Sequence, residues 1–187
     1  MQLRFSVCIV SVVLVCMVFG SVASAGLQNP SHSQGKIAGI LTNSTARDIQ
    51  VKDGFAYLAA GDQGLQVVDC TTIDTPAAIA SLPLSNEGQA RKIFIQGNTA
   101  YLAHQWGGIQ IVDISDPKNP EKLSPIDSLN STQGFEAWDV SVNSDTIYVS
   151  AGWDENGTWN RGLLIFDAIS QELLGHYSVG TDGPWIQ

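Results

Sequence analysis

Tryptophan is the residue whose placement promises chemistry in this chain. Trp106, Trp138, Trp153 and Trp159 fall near Arg47, Arg91, His104 and Arg161 in an internal repeat, with Asp62, Gln63, Gln105, Glu136, Asp154, Glu155, Asn156 and Asn160 between them. Indole faces stack on flat ligand surfaces, and a few charged groups then fix orientation, so this set suits a glycan or a peptide. Trp153 and Trp159 flank Asp154-Glu155-Asn156-Gly157, which reads as a polar loop of the kind that carries function on a rigid scaffold. A structural reading competes for part of the set. Arg47, Arg91 and Trp138 sit at equivalent points of the repeat and would then pack one repeat against the next.

Other chemistries have weaker signatures. Asp154, Asn156, Thr158 and Asn160 offer oxygens at alternate positions, as a calcium loop does. That loop needs glycine where Trp159 stands and a bidentate glutamate where Ile165 stands, so calcium at Asp154 and Asn156 is a faint expectation. His32, His104 and His176 are scattered, with no His-x-Glu or His-Glu-x-x-His pattern, which argues against zinc. No Gly-x-Ser-x-Gly or Gly-rich phosphate loop is present. Only His104 is placed to serve a dispersed catalytic triad, and it reads more simply as a polar loop residue. Asp69, Asp113 and Asp167 recur at one repeat position, which points to turn-building, because aspartate readily accepts nearby backbone N–H bonds.

The elements that must position these residues are legible in the composition. The chain has 187 residues, 44% of them apolar and 14% charged, with 18 glycines and a formal net charge of −9. That charge argues against nucleic acid, whose affinity comes mainly from Lys and Arg displacing counterions. Residues 1–25 read as a secretory signal. Arg4 precedes an apolar core at residues 9–19, and Ala23-Ser24-Ala25 supplies the small residues of a cleavage site before Gly26. The core falls short of the ~20 residues that cross a bilayer comfortably, so no stable membrane span is expected after cleavage. Cys8 and Cys16 leave with the signal. The mature chain keeps Cys70, so no intrachain disulfide is expected, and Cys70 reads as a small core residue. Residues 26–36 read as a flexible leader.

A repeat fixes the architecture. Ala46-Arg47-Asp48-Ile49 matches Ala90-Arg91-Lys92-Ile93, Ala56-Tyr57-Leu58-Ala59 matches Ala100-Tyr101-Leu102-Ala103, and residues 64–69 match 108–113. A third copy starts at Ala137-Trp138-Asp139-Val140, takes an insertion around residues 152–161, and resumes at Gly162-Leu163-Leu164-Ile165-Phe166-Asp167. Strict alternation of polar and apolar residues makes each element a half-buried strand, with Phe94 in an outward slot of the second copy. Asp53-Gly54 and Gly97-Asn98 read as tight hairpin turns. Four strands in a repeat of about 44 residues is the period of a propeller blade. The fold class is therefore all-β: a partial β-propeller of about three four-stranded antiparallel blades at 45–84, 89–127 and 136–180, with flanking strands.

The segments Gly64-Leu65-Gln66-Val67-Val68-Asp69 and Ile109 to Pro120, each preceded by an Ala-Tyr-Leu-Ala strand, resemble LVIVD repeat proteins. The resemblance covers roughly residues 37–180 and implies an exported propeller, secreted, periplasmic or at the cell surface. Residues 37–41 resemble the last strand of a blade, and residues 181–187 resemble the start of another. Because a ring closes with ~4–8 blades, the chain reads as truncated, with further blades or another chain needed to complete it. The isolated chain is then expected to associate. The expected function is binding or scaffolding of a protein or glycan, without evident catalysis. The alternative is a fragment of a hydrolase-like propeller enzyme whose remaining site lies in missing blades.

Overall fold

The structure, a computed structural model, describes residues 45–84, 88–129 and 134–182. The expected signal, leader and strand at 37–41 lie outside the described residues, as do residues 183–187. Among the described residues there is no helix. The strands form three four-stranded antiparallel meanders. The first contains β1 (Asp48–Lys52), β2 (Phe55–Ala59), β3 (Leu65–Asp69) and β4 (Ala77–Leu82). The second contains β5 (Lys92–Gln96), β6 (Thr99–Ala103), β7 (Ile109–Asp113) and β8 (Glu121–Lys122). The third contains β9 (Phe135–Asn143), β10 (Thr146–Glu155), β11 (Thr158–Asp167) and β12 (Leu173–Asp182). Tight turns set each register. Asp53 and Gly54 take φ of 51° and 84°, the doubly left-handed geometry that a two-residue hairpin matched to strand twist requires.

The sheets stack in chain order, β1 and β2 against β5, then β5 and β6 against β9, without closing a ring. Period-two alternation explains why the stack works. Tyr57, Ala59, Leu65 and Val67 face Ile93, Ala100, Leu102 and Val112, filling the first inter-sheet layer. Tyr101, Ala103, Ile109 and Ile111 face Phe135, Val140, Ile147, Val149 and Phe166, filling the second. The middle sheet therefore buries both faces. Phe94, expected to point outward, packs into the second layer for this reason. Backbone pairing adds to the apolar seal. Gly61 and Ala90 exchange N–H···O bonds of 3.0 and 3.1 Å, and Gln105 and Ala137 exchange bonds of 2.9 and 3.1 Å. Each turn between the second and third strands of one sheet is thus tied to the chain entering the next.

The recurring aspartates build turns. Asp69 accepts the Thr71 N–H and hydroxyl at 2.9 and 2.6 Å, Asp113 accepts the Ser115 N–H at 2.8 Å, and Asp167 accepts the N–H groups of Ile169 and Ser170 at 2.9 and 2.7 Å. The Thr71 hydrogen bonds hold the Asp69 carboxyl below its ordinary value. Cys70 is half-buried beside Ala56, Leu58 and Val68. Two elements differ from their sequence reading. The fourth strand of the second sheet shrinks to β8, and Ile126 then rejoins the ladder by exchanging bonds with Ile109 at 2.8 and 2.9 Å. Pro125 lies in this stretch and has no N–H to give to the ladder. β12 runs on to Asp182, so residues 181 and 182 pair within the third sheet, and the rest of the expected further blade lies outside the described residues.

Candidate functional site

The insertion in the third copy is not a loop. β10 and β11 simply run further than their counterparts and pair without interruption from Thr146–Asp167 to Glu155–Thr158. Asn156 and Gly157 close them with φ of 56° and 78°, and the Asp154 carboxylate accepts the Gly157 N–H at 2.9 Å. The consequence is that residues read as one loop cluster divide between two sheet faces.

Trp153 falls on the inward face. It is 2% exposed, lies in the core with Phe135 and Phe166, and meets the His176 ring edge-on at 5.5 Å. Its expected place on a ligand wall is therefore corrected: it anchors the extended hairpin to the core. Asn160 is buried on the same side, and its amide N–H donates to the Thr158 carbonyl at 3.1 Å. Asp154 faces the other way. The alternating oxygens proposed for calcium thus stand on opposite faces of a hairpin and do not converge. Among the described residues no group of three or more His, Cys, Asp or Glu side chains gathers as a metal site would.

Trp138 and Trp159 fall on the outward face, and both lie over Gly152. The pairing of β9 with β10 slips between Ser150 and Ala151, leaving Trp138 as the extra residue of a bulge. A bulge re-aims a side chain. Here it brings the indole over Gly152, where Trp159 also lies. A Cβ on Gly152 would stand 2.6 Å from Trp159 Cζ2 and 3.0 Å from Trp138 Cζ2, so only glycine leaves both indoles room. Sequence reading did not single out Gly152. The signal was there: a glycine inside a strand pattern marks close approach of another group.

The third indole comes from the second sheet. Trp106 sits at the tip of the β6–β7 turn, 52% exposed, with its ring centroid 5.3 Å from that of Trp159 and the planes tilted by 52°. Trp106 and Trp159 thus form an indole strip spanning two sheets, with Trp138 beside Trp159 over Gly152. Its edges carry charge. Glu136 and Arg161 are the two cross-strand partners of Gly152, and Asp154 is the partner of Trp159. Arg161 and Asp154 are exposed, and Glu136 is half-buried.

The remaining expected residues lie elsewhere. Arg47 donates to the side chain of Gln89 and stands beside Gly61, lashing the first sheet to the entry of the second. Arg91 occupies the same slot one sheet later, half-buried, with its N–H on the Ala103 carbonyl at 2.9 Å. His104 was expected at the surface of a polar loop. It is 1% exposed, because its turn folds back on itself, His104 N–H to Gly108 O at 2.8 Å and Gly107 N–H to His104 O at 3.0 Å. Burial pushes its imidazole below the ordinary value, with nearby Asp62 opposing more weakly. A sealed, neutral imidazole does not line a ligand face.

Comparison with known proteins bears on the fold. The LVIVD repeat family matches residues 44–73 and 87–124, which hold β1–β3 and β5–β8. No curated relative matches the chain by sequence. Among solved structures, the computationally designed Ika4 protein is 13% identical with a TM-score of 0.54, the match covering 78% of each chain. The Dos1 propeller is 19% identical with a TM-score of 0.49, covering 84% of this chain and 46% of that one. An exo-1,5-alpha-L-arabinanase from a bovine ruminal metagenomic library is 13% identical with a TM-score of 0.44, covering 86% of this chain and 68% of that one. The LVIVD repeat model thus matches within the first two sheets, the third repeats their four-strand meander, and the described residues form an all-β propeller fold whose three sheets do not close a ring.

Proposed function

We propose that this is an exported binding module and that its ligand contacts the strip formed by Trp106, Trp159 and Trp138. The observation that carries the reading is the exposure of Trp106 at 52% while it touches a second indole. A large aromatic left in water beside another, seated over a glycine that makes room for it, is costly as structure alone and useful as a contact surface. The strip spans two sheets whose relative position is fixed by packed apolar layers and the Gln105–Ala137 backbone pair, so it is preorganised. The reading does not require catalysis. Export, from the apolar N-terminal segment, puts the site where extracellular or periplasmic ligands are met.

The test is binding of the 26–187 chain to glycan and peptide arrays, with Trp106→Ala and Trp159→Ala alongside. Central aromatic contacts typically contribute 2 kcal/mol or more, so each substitution is expected to weaken binding by about 30-fold. Trp106 is exposed, and its removal should leave the unfolding midpoint unchanged. Array binding that survives both substitutions would rule out the strip as the contact surface.

A further inference from the structure

We infer that the outward face of the third sheet is the contact surface of a two-fold dimer, with a second copy of this chain as its occupant. The face repeats slots that are sealed twice within the chain. Tyr57, Leu65 and Val67 of the first sheet, and Tyr101, Ile109 and Ile111 of the second, lie in the two closed layers. Tyr148, Leu163 and Ile165 hold the same slots in the third sheet, and strand register puts Ser150 and Tyr177 beside them. Tyr148 and Tyr177 are exposed, as are Leu174 and Val179 at the two register slips of β12 and Ile169 in the β11–β12 turn. The opposite end of the stack differs. Ala56 and Leu58, on the outer face of the first sheet, are each 1% exposed. Among the described residues the third sheet therefore carries the open apolar face. A contact that uses the same face of each copy is the self-complementary, two-fold kind.

A further sheet stacked as the second is on the first would lack both ties that hold those two. One tie is the backbone pair between a turn and the next entering segment, Gly61 with Ala90, repeated as Gln105 with Ala137. Gly152 holds the equivalent position in the third sheet, and its cross-strand partners are Glu136 and Arg161 of its own sheet. The other tie is Asp48, whose carboxylate accepts the Ile93 N–H at 3.1 Å and stands 3.8 Å from Lys92 Nζ across the first layer. Its equivalent in the third sheet, Asp139, accepts the Val140 N–H beside it at 2.8 Å. The third face is thus apolar like the sealed layers, with both ties turned into its own sheet.

Its layout suits a surface of its own kind. By register the centre holds Tyr148, Ser150, Leu163, Ile165 and Tyr177, all uncharged, with Asp139, Arg161 and Asp167 around them. An uncharged, tyrosine-bearing centre inside a charged rim is the anatomy of a specific protein contact. It also keeps two chains of net charge −9 from meeting charge to charge at the centre. Ser150 and Gly175 share this face with Leu163 and Tyr177, so one surface offers both recesses and projections, as a two-fold contact requires. Four strands of nine or ten residues cover about 33 Å by about 19 Å, a flat footprint of about 600 Å². That is somewhat under the roughly 800 Å² per partner of a standard complex, so a reversible dimer is expected.

The experiment is sedimentation velocity of the 26–187 chain over a concentration series from about 1 to about 200 μM, a range set by the weak end of such contacts. The expected result is a reversible monomer–dimer equilibrium with no species beyond the dimer. Tyr177→Asp and Ser150→Arg are each expected to weaken dimerisation at least tenfold. Both positions are exposed, so near-UV circular dichroism of the two variants should match the wild type, and if one fails to fold the other serves. Trp106→Ala, on a turn of the second sheet, is expected to leave dimerisation unchanged, which separates this contact from the indole strip. Monomers throughout the series would leave the face to a partner of another kind and overturn the proposal. Oligomers that grow past the dimer would mean a head-to-tail contact and overturn it too. So would a dimer that survives in both folded face variants, or one lost in Trp106→Ala.

Discussion

At the residue scale, identical residue types earn different roles from burial alone. His104 and Trp153 carry the same polar or aromatic promise in sequence as Gln105 and Trp159. Each points inward, because neighbouring residues of a strand or a tight turn face opposite ways. Nothing in a single sequence says which way a lone extra segment is phased, so Trp153 was not legible, whereas His104 stands in the repeat slot of Ala60, a small apolar residue that marks a closed position. The recurring Asp69, Asp113 and Asp167 were legible, because recurrence at one slot in every copy signals framework. His104 yields a pH prediction. Its folded-state value lies below the ordinary 6.5 because burial disfavours the imidazolium. The unfolded chain therefore binds the proton first as pH falls. Its contribution to stability is complete above 6.5 and is lost as pH drops from 6.5 toward the lower folded value. Urea midpoints are expected to decline from pH 7 to pH 5 in the wild type and to decline less in His104→Gln. Equal slopes in the two proteins would refute the assignment.

At the element scale, the glycines that open each third strand show how the repeat is enforced. Gly64 and Gly108 take φ of 71° and 64°. A Cβ there would run into the backbone carbonyl of Leu82 in the first sheet and of Ile126 in the second. The outer segment of each blade thus crosses directly over the glycine, and the alignment of residues 64–69 with 108–113 is the trace of that crossing in sequence. The extended β10–β11 hairpin had no repeat partner to align with. Its Asp-Glu-Asn-Gly tip read as a loop, although Asn-Gly between paired strands is itself a tight-turn signal. Gly108→Ala puts a side chain both in the left-handed region and against an immovable backbone. The left-handed term alone is about 1–2 kcal/mol, so the measured loss in urea unfolding is expected to exceed 2 kcal/mol. Gly97 also has positive φ, at 58°, but nothing stands within 4 Å of its would-be Cβ. Gly97→Ala should therefore cost only the left-handed term. Equal losses at the two positions would show that the crossing does not constrain Gly108.

At the scale of the whole molecule, the repeat makes the third sheet a control for the first two. Tyr57, Tyr101 and Tyr148 are equivalent, and so are Leu65, Ile109 and Leu163. Tyr57 and Tyr101 are 1% and 7% exposed, sealed by the next sheet in the stack, whereas Tyr148 is 37% exposed. Leu65 and Ile109 are at 0%, and Leu163 is only half-buried, with its cross-strand neighbour Tyr177 at 67%. The sequence keeps core residues at positions where the described structure has nothing stacked. Alternation therefore made the blades readable, but not which faces would be covered. This asymmetry predicts how one substitution behaves in two places. Leu65→Asp forces an unpaired carboxylate into a closed apolar layer and is expected to cost more than about 4 kcal/mol, enough to unfold a domain of ordinary stability. Leu163→Asp meets solvent and should cost under about 1 kcal/mol. It also breaks an exposed apolar face of the kind that drives association. By light scattering the wild-type 26–187 chain is expected to associate as its concentration rises, and Leu163→Asp to shift it toward monomer. A Leu163→Asp protein as unstable as Leu65→Asp would mean that the third sheet's outward face is as closed as the layers between the sheets.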